Sequence, residues 1–517
     1  MNLHAELLPN IRQITLYVSI PARVGHGVSK YEPGNVSSEG GKEPDISVSL
    51  SDSRRALTVT VAAPALPEEG HLEEIHGVSE TLKLPGKVSE TARDAFRDMT
   101  KQRGQIVRDD ASGDRWEYSF RMPLDPNDNE CHSSSLLACS DEISMDDFVP
   151  WTARDMTPFT RVRCRGCREE ILDVPDIKVS NAAGWTWKDL PSGNWAEMMD
   201  FWHCHKPDPH DHEDGENTGT TDKGNQSNGK LNDAQNALIK GYGAANRVVA
   251  APATVLVDVA SFLVTEDDCK GLKLKVVSWS SLLPGNKKGP VQLHLPRSEP
   301  RYNCPISDPS QVEREPKSKK MVLRCTKCDS VVGSEDIHAA GWRLFKASVS
   351  LSMARYTEAE TETAWEIRSP EILVSAQILE TVEREGVRRF VLHCGGQRGL
   401  LLWIFNPDLR YSSLSTNDSD STYTNTINSQ RAMKVFYQDV PDVEALLYPE
   451  RDGREPGTSS SPFSLDELEL PSQTFVEISR VLTGSSGMLP LSARRFREWR
   501  VGLLGRFERM PRMIRGN

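Results

Sequence analysis

Two short stretches hold the residues best suited to chemistry, Arg163–Leu172 (RCRGCREEIL) and Leu323–Gly333 (LRCTKCDSVVG). Each places two cysteines two residues apart, Cys164 with Cys167 and Cys325 with Cys328. Polar residues follow, then an aliphatic pair, Ile171-Leu172 or Val331-Val332. A C-x2-C turn offers two thiolates to one metal ion, and two such turns supply the four soft ligands of a closed tetrahedral zinc site. With ten cysteines in 517 residues, chance would give roughly 0.2 such pairs, so two of them are a signal. About 160 residues lie between the turns, so a shared ion would close a large loop and clip distant segments together. A site closed by four thiolates keeps no open position for substrate, and its work is structural. Two alternatives use the same residues: Cys204 or His205 replaces one of the ligands, or the thiols are buried without metal. His210 and His212, in a polar stretch, read as solvated side chains.

The gross composition bounds what such a site serves. A net charge of -12 with 26% charged residues fits a soluble protein and disfavours a broad grip on nucleic acid. Local basic runs exist around the first turn (Arg161, Arg163, Arg165, Arg168) and before the second (KSKK). No apolar run approaches the roughly 20 residues that span a bilayer, and MNLHAELLPNIRQ lacks the apolar core of a signal peptide. A cytoplasmic or nuclear location is expected, with no membrane partner. In such a reducing compartment paired cysteines favour metal over disulfide.

The elements that must position the cysteines read mostly as strands. Ile14–Ile20, Asp45–Leu50, Ala56–Ala62, Trp116–Met122, Trp342–Leu351, Phe390–Cys394 and Leu400–Phe405 are short, β-branched or aromatic, and bounded by turn residues. Helical spacing marks Ile372–Glu385, Gln473–Val481 and, weakly, Leu465–Leu470, and Asn194–Glu197 has the form of a capped helix start. Trp185, Trp187, Trp195 and Trp202 crowd beside the Cys-His run and read as core around a small metal site. Three polar stretches, Lys206–Asn236, Ser412–Gln430 and Arg451–Pro462, lack the apolar surface to offset the entropy of folding. The fold class expected is α+β and β-rich: two or more packed β-rich domains clipped by the four-cysteine zinc site, few helices, long disordered insertions. The expected segments are an N-terminal β-rich domain at 1–150, the first knuckle with the Trp/Cys-His block at 151–205, a linker at 206–236, the second knuckle with a β/α region at 237–410, an insertion at 411–430, and a C-terminal region at 431–517.

Several blocks resemble one family. LPSGNWAEMMDFWHCHKPD (Leu190–Asp208) after a first CxxC, with FVPWTARDM (Phe148–Met156), WIFNPDLRYSS (Trp403–Ser413), AMKVFY (Ala432–Tyr437) and LPLSARRFREWRVGLL (Leu489–Leu504), is similar to the HECT-like ubiquitin-conjugating-enzyme-binding proteins. The resemblance implies a ubiquitin-protein ligase that binds a charged ubiquitin-conjugating enzyme and passes ubiquitin to protein substrates through a cysteine thioester. A HECT nucleophile sits in a pattern like LPxAxTCxNxLxLP; Leu489–Ala493 resembles only its opening residues, without the cysteine. That segment reads as a turn before a C-terminal amphipathic helix, with Phe496, Trp499 and Leu503 on one face and Arg494, Arg495, Arg497 and Arg500 on a solvated one.

The nucleophile is therefore unknown. Outside the two turns the cysteines are Cys131, Cys139, Cys204, Cys269, Cys304 and Cys394. Acidic neighbours raise the thiol pKa of Cys269. Cys394, in HCGGQRG beside His393 and near Arg398, is the candidate, with a half-buried strand cysteine as its structural reading. A non-catalytic zinc-stapled scaffold is the alternative function.

Overall fold

Alternating apolar residues dominate both halves of the molecule, and each alternation becomes a strand with one face in a core. The computed structural model describes residues 1–22, 43–62, 78–93, 104–108, 113–128, 148–174, 184–190, 248–277, 320–353, 364–395, 398–416, 424–448 and 465–509. The chain divides into two units, Met1–Pro150 with Ser369–Asn517, and Trp151–Arg368. No helix among the described residues is long and apolar enough to cross a membrane.

In the first unit, one sheet runs in the order Arg495–Phe496, Trp499–Gly505, Thr424–Val440, Gly399–Thr416, Asn2–Leu8, Gln13–Pro21, Arg115–Pro123, Gln105–Val107. Arg389–His393 pairs with the start of the Gly399–Thr416 strand, and Leu465–Glu469 runs parallel beside it. A three-stranded sheet, Ile46–Leu50, Ala56–Val61 and Val78–Lys83, puts Leu57, Val59 and Leu82 into a core with Leu3, Leu7, Leu16 and Phe120. Two helices, α1 (Pro370–Glu385) and α2 (Ser472–Met488), pack Ile378, Val382, Ile478 and Leu482 against Leu402, Ile404, Val435 and Leu504 of the large sheet. The expected helix in α1 is present, with clear ends. The Ser369 side chain accepts from Ile372 N–H, Pro370 starts the helix and Gly386 ends it in the left-handed conformation.

Four expectations change. The Ser412–Gln430 insertion is largely a β-hairpin, because Ser412, Ser413 and Ser415 pair with Ala5, His4 and Asn2 while Asn425–Gln430 pairs back across the hairpin. Ladder hydrogen bonds satisfy this polar backbone, and small serines fit the interior without much apolar area. Leu465–Glu469 is a strand instead of a weak helix. The C-terminal amphipathic helix is a hairpin, Arg495–Phe496 with Trp499–Gly505. Trp499, Val501 and Leu503 follow period two, in which Trp499 and Leu503 keep the four-residue spacing of a helix face, and Gly502, where a Cβ would stand 3.0 Å from the Leu482 carbonyl, lets α2 lie close on the strand. Trp342–Leu351 is two strands, Gly341–Phe345 and Val349–Met353, separated by a 3-10 turn at Lys346–Ser348 and belonging to different sheets.

The second unit holds a seven-stranded sheet in the order Thr186–Asp189, Thr254–Val257, Ser261–Val264, Gly341–Phe345, Val331–Asp336, Lys320–Cys325, Leu272–Val277. A four-stranded sheet runs Ala364–Glu366, Val349–Met353, Val162–Cys164, Glu170–Leu172. One core, with Trp151, Val162, Trp185, Phe262, Leu323 and Leu344, lies between their side chains. Gly333 shows how tight this is: a Cβ there would sit 2.2 Å from the Arg343 carbonyl of the neighbouring strand. Gly333→Ala is expected to destabilise the second unit by about 2 kcal/mol, because the backbone on the far side must move. Thermal unfolding of the intact protein checks it; an unchanged transition would show that the strands separate freely.

Candidate metal centre

Each cysteine pair sits where a strand turns into a knuckle, and the two knuckles fold alike. In the first, Cys164 N–H donates to the Glu169 carbonyl at 2.7 Å and Arg168 N–H to the Cys164 carbonyl at 2.9 Å. In the second, Cys325 N–H donates to the Ser330 carbonyl at 3.0 Å and Asp329 N–H to the Cys325 carbonyl at 3.0 Å. The residue after each second cysteine, Arg168 (φ 65°) or Asp329 (φ 58°), is left-handed. The strand pairing slips just before each first cysteine, between Val162 and Arg163 and between Leu323 and Arg324. The sequence likeness of the two stretches is thus a likeness of backbone.

The knuckles face each other. The four Sγ atoms of Cys164, Cys167, Cys325 and Cys328 all lie within 4.8 Å of one another. Across the pairs, Cys164 Sγ is 3.6 Å from Cys328 Sγ, and Cys167 Sγ is 3.4 Å from Cys325 Sγ. None is in a disulfide. A zinc ion with four sulfurs at about 2.3 Å would space them roughly 3.8 Å apart, so the set fits a metal such as zinc. Gly166 lets the approach occur, since a Cβ there would meet Ser330 Oγ at 3.3 Å and Cys328 Sγ at 3.6 Å.

The thiols are unequal. Cys164 and Cys325 are buried and Cys328 is exposed. Burial pushes the Cys164 thiol up, the opposite of what a ligand needs. Burial also opposes ionisation of Cys328, but Ser330, whose Oγ is 3.2 Å away and whose N–H faces the sulfur, together with hydrogen bonds from Cys167 and Cys164, outweighs it and pulls that thiol down. A bound cation would hold all four as thiolates. Around the tips, Lys327 pairs with Glu169 at 3.1 Å and Lys273 with Asp329 at 2.8 Å, while the Arg163 guanidinium stacks 3.8 Å over Trp365.

All four cysteines belong to the second unit. The four cysteines, expected to clip separate domains, stand instead on two sheets of one unit, one knuckle on each. Trp185 and Trp187 are part of, or packed against, the core that surrounds the cluster, as the crowded tryptophans suggested. Trp195, Trp202, Cys204, His205, His210 and His212 lie outside the described residues, as do Cys131, Cys139 and Cys304.

The other two cysteines are placed apart from the cluster. Cys269 packs beside the same core, where burial first, and Asp268 and Glu266 after it, push its thiol up. Cys394 follows the Arg389–His393 strand in the first unit. Its neighbour His393 is fully used: Gly395 N–H donates to Nδ1 at 3.0 Å, which leaves the proton on Nε2 for Glu467 Oε1 at 2.7 Å.

Sequence reasoning missed the polar side of the first strand. Asn2–Leu8 puts Leu3, Ala5 and Leu7 into the core, yet His4 and Glu6 on its other face are buried too, each 2% exposed. Lys434 Nζ is 2.8 Å from both Glu6 oxygens, and His4 Nε2 is 3.2 Å from one. The alternation in NLHAELL could have announced the strand, but nothing local could name Lys434 as the partner.

Comparison with known proteins comes to the same place as the sequence blocks. The profile described as HECT-like ubiquitin-conjugating enzyme (E2)-binding matches residues 6–501. An uncharacterized protein of Schizosaccharomyces pombe is 23% identical over 403 residues, 76% of this chain and 88% of that protein. An uncharacterized protein of Saccharomyces cerevisiae is 26% identical over 131 residues, 25% of this chain and 30% of that protein. No solved structure matches.

Proposed function

The chain belongs to the HECT-like ubiquitin-conjugating enzyme (E2)-binding family, and from that membership we propose that it is a ubiquitin-protein ligase. It docks a ubiquitin-charged conjugating enzyme and promotes transfer of ubiquitin to substrate proteins in the cytoplasm or nucleus. The observation that carries this reading is the span of the match, residues 6–501, which takes in parts of both units. The cysteine cluster holds one zinc ion and is structural, since four thiolates complete the tetrahedron.

The route of transfer is read from His393, the base that the sequence set beside Cys394. A thioester-forming cysteine needs a base or a cation to make it a thiolate, and the adjacent His393 has both nitrogens committed to Gly395 and Glu467. The reading favoured is direct transfer from the docked conjugating enzyme. Mixing the protein with ubiquitin-charged conjugating enzymes tests it: discharge is expected to speed up, and to the same extent in Cys394→Ser. A reductant-sensitive ubiquitin adduct lost only in Cys394→Ser would replace direct transfer by a thioester route. Binding without any acceleration of discharge would leave a scaffold in place of a ligase.

A further inference from the structure

The thiols of the two knuckles face one another crosswise. Cys164, the first cysteine of one knuckle, has its Sγ 3.6 Å from that of Cys328, the second of the other, and Cys167 stands to Cys325 in the same relation at 3.4 Å. Each facing pair thus runs from the knuckle of one sheet to the knuckle of the other. Each also joins a buried thiol, Cys164 or Cys325, to a more accessible one, Cys328 or Cys167. Cys328 is the exposed corner. Gly166, exposed itself, leaves one side of that sulfur open, since a side chain there would begin 3.6 Å from it. A metal-held thiolate is still a nucleophile, and an accessible one with a second thiol beside it is the arrangement of cysteines that oxidise reversibly.

We propose that the centre is a redox switch: hydrogen peroxide oxidises Cys328, Cys164 closes a disulfide on it, and the zinc leaves while the two sheets stay joined. In the first step the Cys328 thiolate attacks one peroxide oxygen, the O–O bond breaks, and a sulfenic acid and hydroxide form. The Cys164 thiolate then attacks the sulfenic sulfur, the S–O bond breaks, and a second hydroxide departs. Two thiolates have lost two electrons, the peroxide has gained them, and solvent protons turn both hydroxides into water. An ion left with two of its four ligands is released, and a second peroxide joins Cys167 to Cys325 by the same two steps. The sulfurs must close from 3.6 and 3.4 Å to about 2.05 Å. The paired cysteines are 164 and 158 residues apart in sequence, so each disulfide closes the large loop that the ion closed before it.

The inference rests on the zinc reading of the cluster and adds what its ligands do under oxidation. The test uses the full chain, kept reduced during purification, with zinc counted before peroxide is added. Peroxide is expected to release the zinc to a chelating dye, and peptide mapping without reductant is expected to show Cys164 linked to Cys328 and Cys167 linked to Cys325. Residues 151–368 should keep their protease resistance in the oxidised chain and lose it when a chelator removes the metal under reductant. Cys328→Ser is expected to slow the loss of titratable thiols by roughly tenfold or more, and Cys269→Ser to leave the rate unchanged. Three results would overturn the switch while leaving the metal centre standing: disulfides confined to single knuckles, zinc held throughout the treatment, or Cys328 oxidised beyond sulfenic acid with no disulfide. A reduced chain with no zinc to release would overturn the metal centre, and the switch with it.

Discussion

Replacing Cys325 with serine is expected to release the metal and unfold the second unit. Cys325 is a buried thiol on the last residue of the Lys320–Cys325 strand, and the thiols it faces, Cys164 and Cys167, stand on the knuckle of the other sheet. The magnitude decides the outcome. Structural zinc sites contribute on the order of 10–16 kcal/mol of apparent folding free energy, while a whole domain is stable by only about 5–15 kcal/mol. Loss of one buried ligand therefore exceeds what the remaining core retains, and metal content and protease resistance of residues 151–368 should fall together. Cys164→Ser should behave the same way. Cys328→Ser, at the exposed corner, should keep a weaker ion, because solvent can fill the vacated position. Cys269→Ser, outside the cluster, should keep the metal in full. Normal zinc content in the Cys325 variant would dissolve the shared site.

The second large effect belongs to the first unit. Lys434→Met is expected to destabilise it by about 3–5 kcal/mol, the usual cost of leaving one member of a buried ion pair alone. Glu6→Gln added to it should restore most of the loss, because no buried charge then remains. Acid sensitivity gives a separate reading of the same pair. Burial works to raise the Glu6 pKa, but Lys434 first and His4 after it outweigh burial and bring it down to about 2. Its folded value is thus below its unfolded one, so its stabilisation is complete above about pH 4.5. It is lost as pH falls toward 2, amounting to about 3 kcal/mol. In the Lys434→Met protein only His4 still opposes burial, so the carboxyl's pKa rises and the variant should gain stability relative to wild type as pH falls. Denaturant unfolding at pH 7 and pH 3 measures both. Equal losses at the two pH values would show that Lys434 acts through packing alone.

What could be read from the sequence had local causes. The cysteine knuckles were legible because ligand spacing is a property of a four-residue turn, and α1 was legible because its apolar residues recur at three- and four-residue spacing. The strand at Gln13–Pro21 announced itself by alternation alone. The failures were all contextual. Ser412–Thr416 reads as linker until Asn2–Leu8 lies beside it to take its hydrogen bonds. Trp499–Gly505 reads as helix until α2 requires a flat strand with a glycine under Leu482. WRLFKASVSL reads as one strand because nothing in it announces that Lys346 is fully buried. Desolvation lowers that ammonium's pKa to about 7 against the pull of Asp258, Asp189 and Asp155, three carboxylates that come from three other stretches of chain. The cluster's location was half legible: the ligands were readable, but not that both knuckles serve sheets of one unit.

One ion, held by four thiolates and nothing else, is what joins those two sheets in this reading of the molecule. Zinc-edge X-ray absorption on the purified chain, with metal analysis alongside, measures it. The expected result is one zinc per chain with four sulfur neighbours at about 2.3 Å. Three sulfurs with a nitrogen neighbour would bring His205 into the site and contradict it, as would a purified, folded chain that carries no zinc.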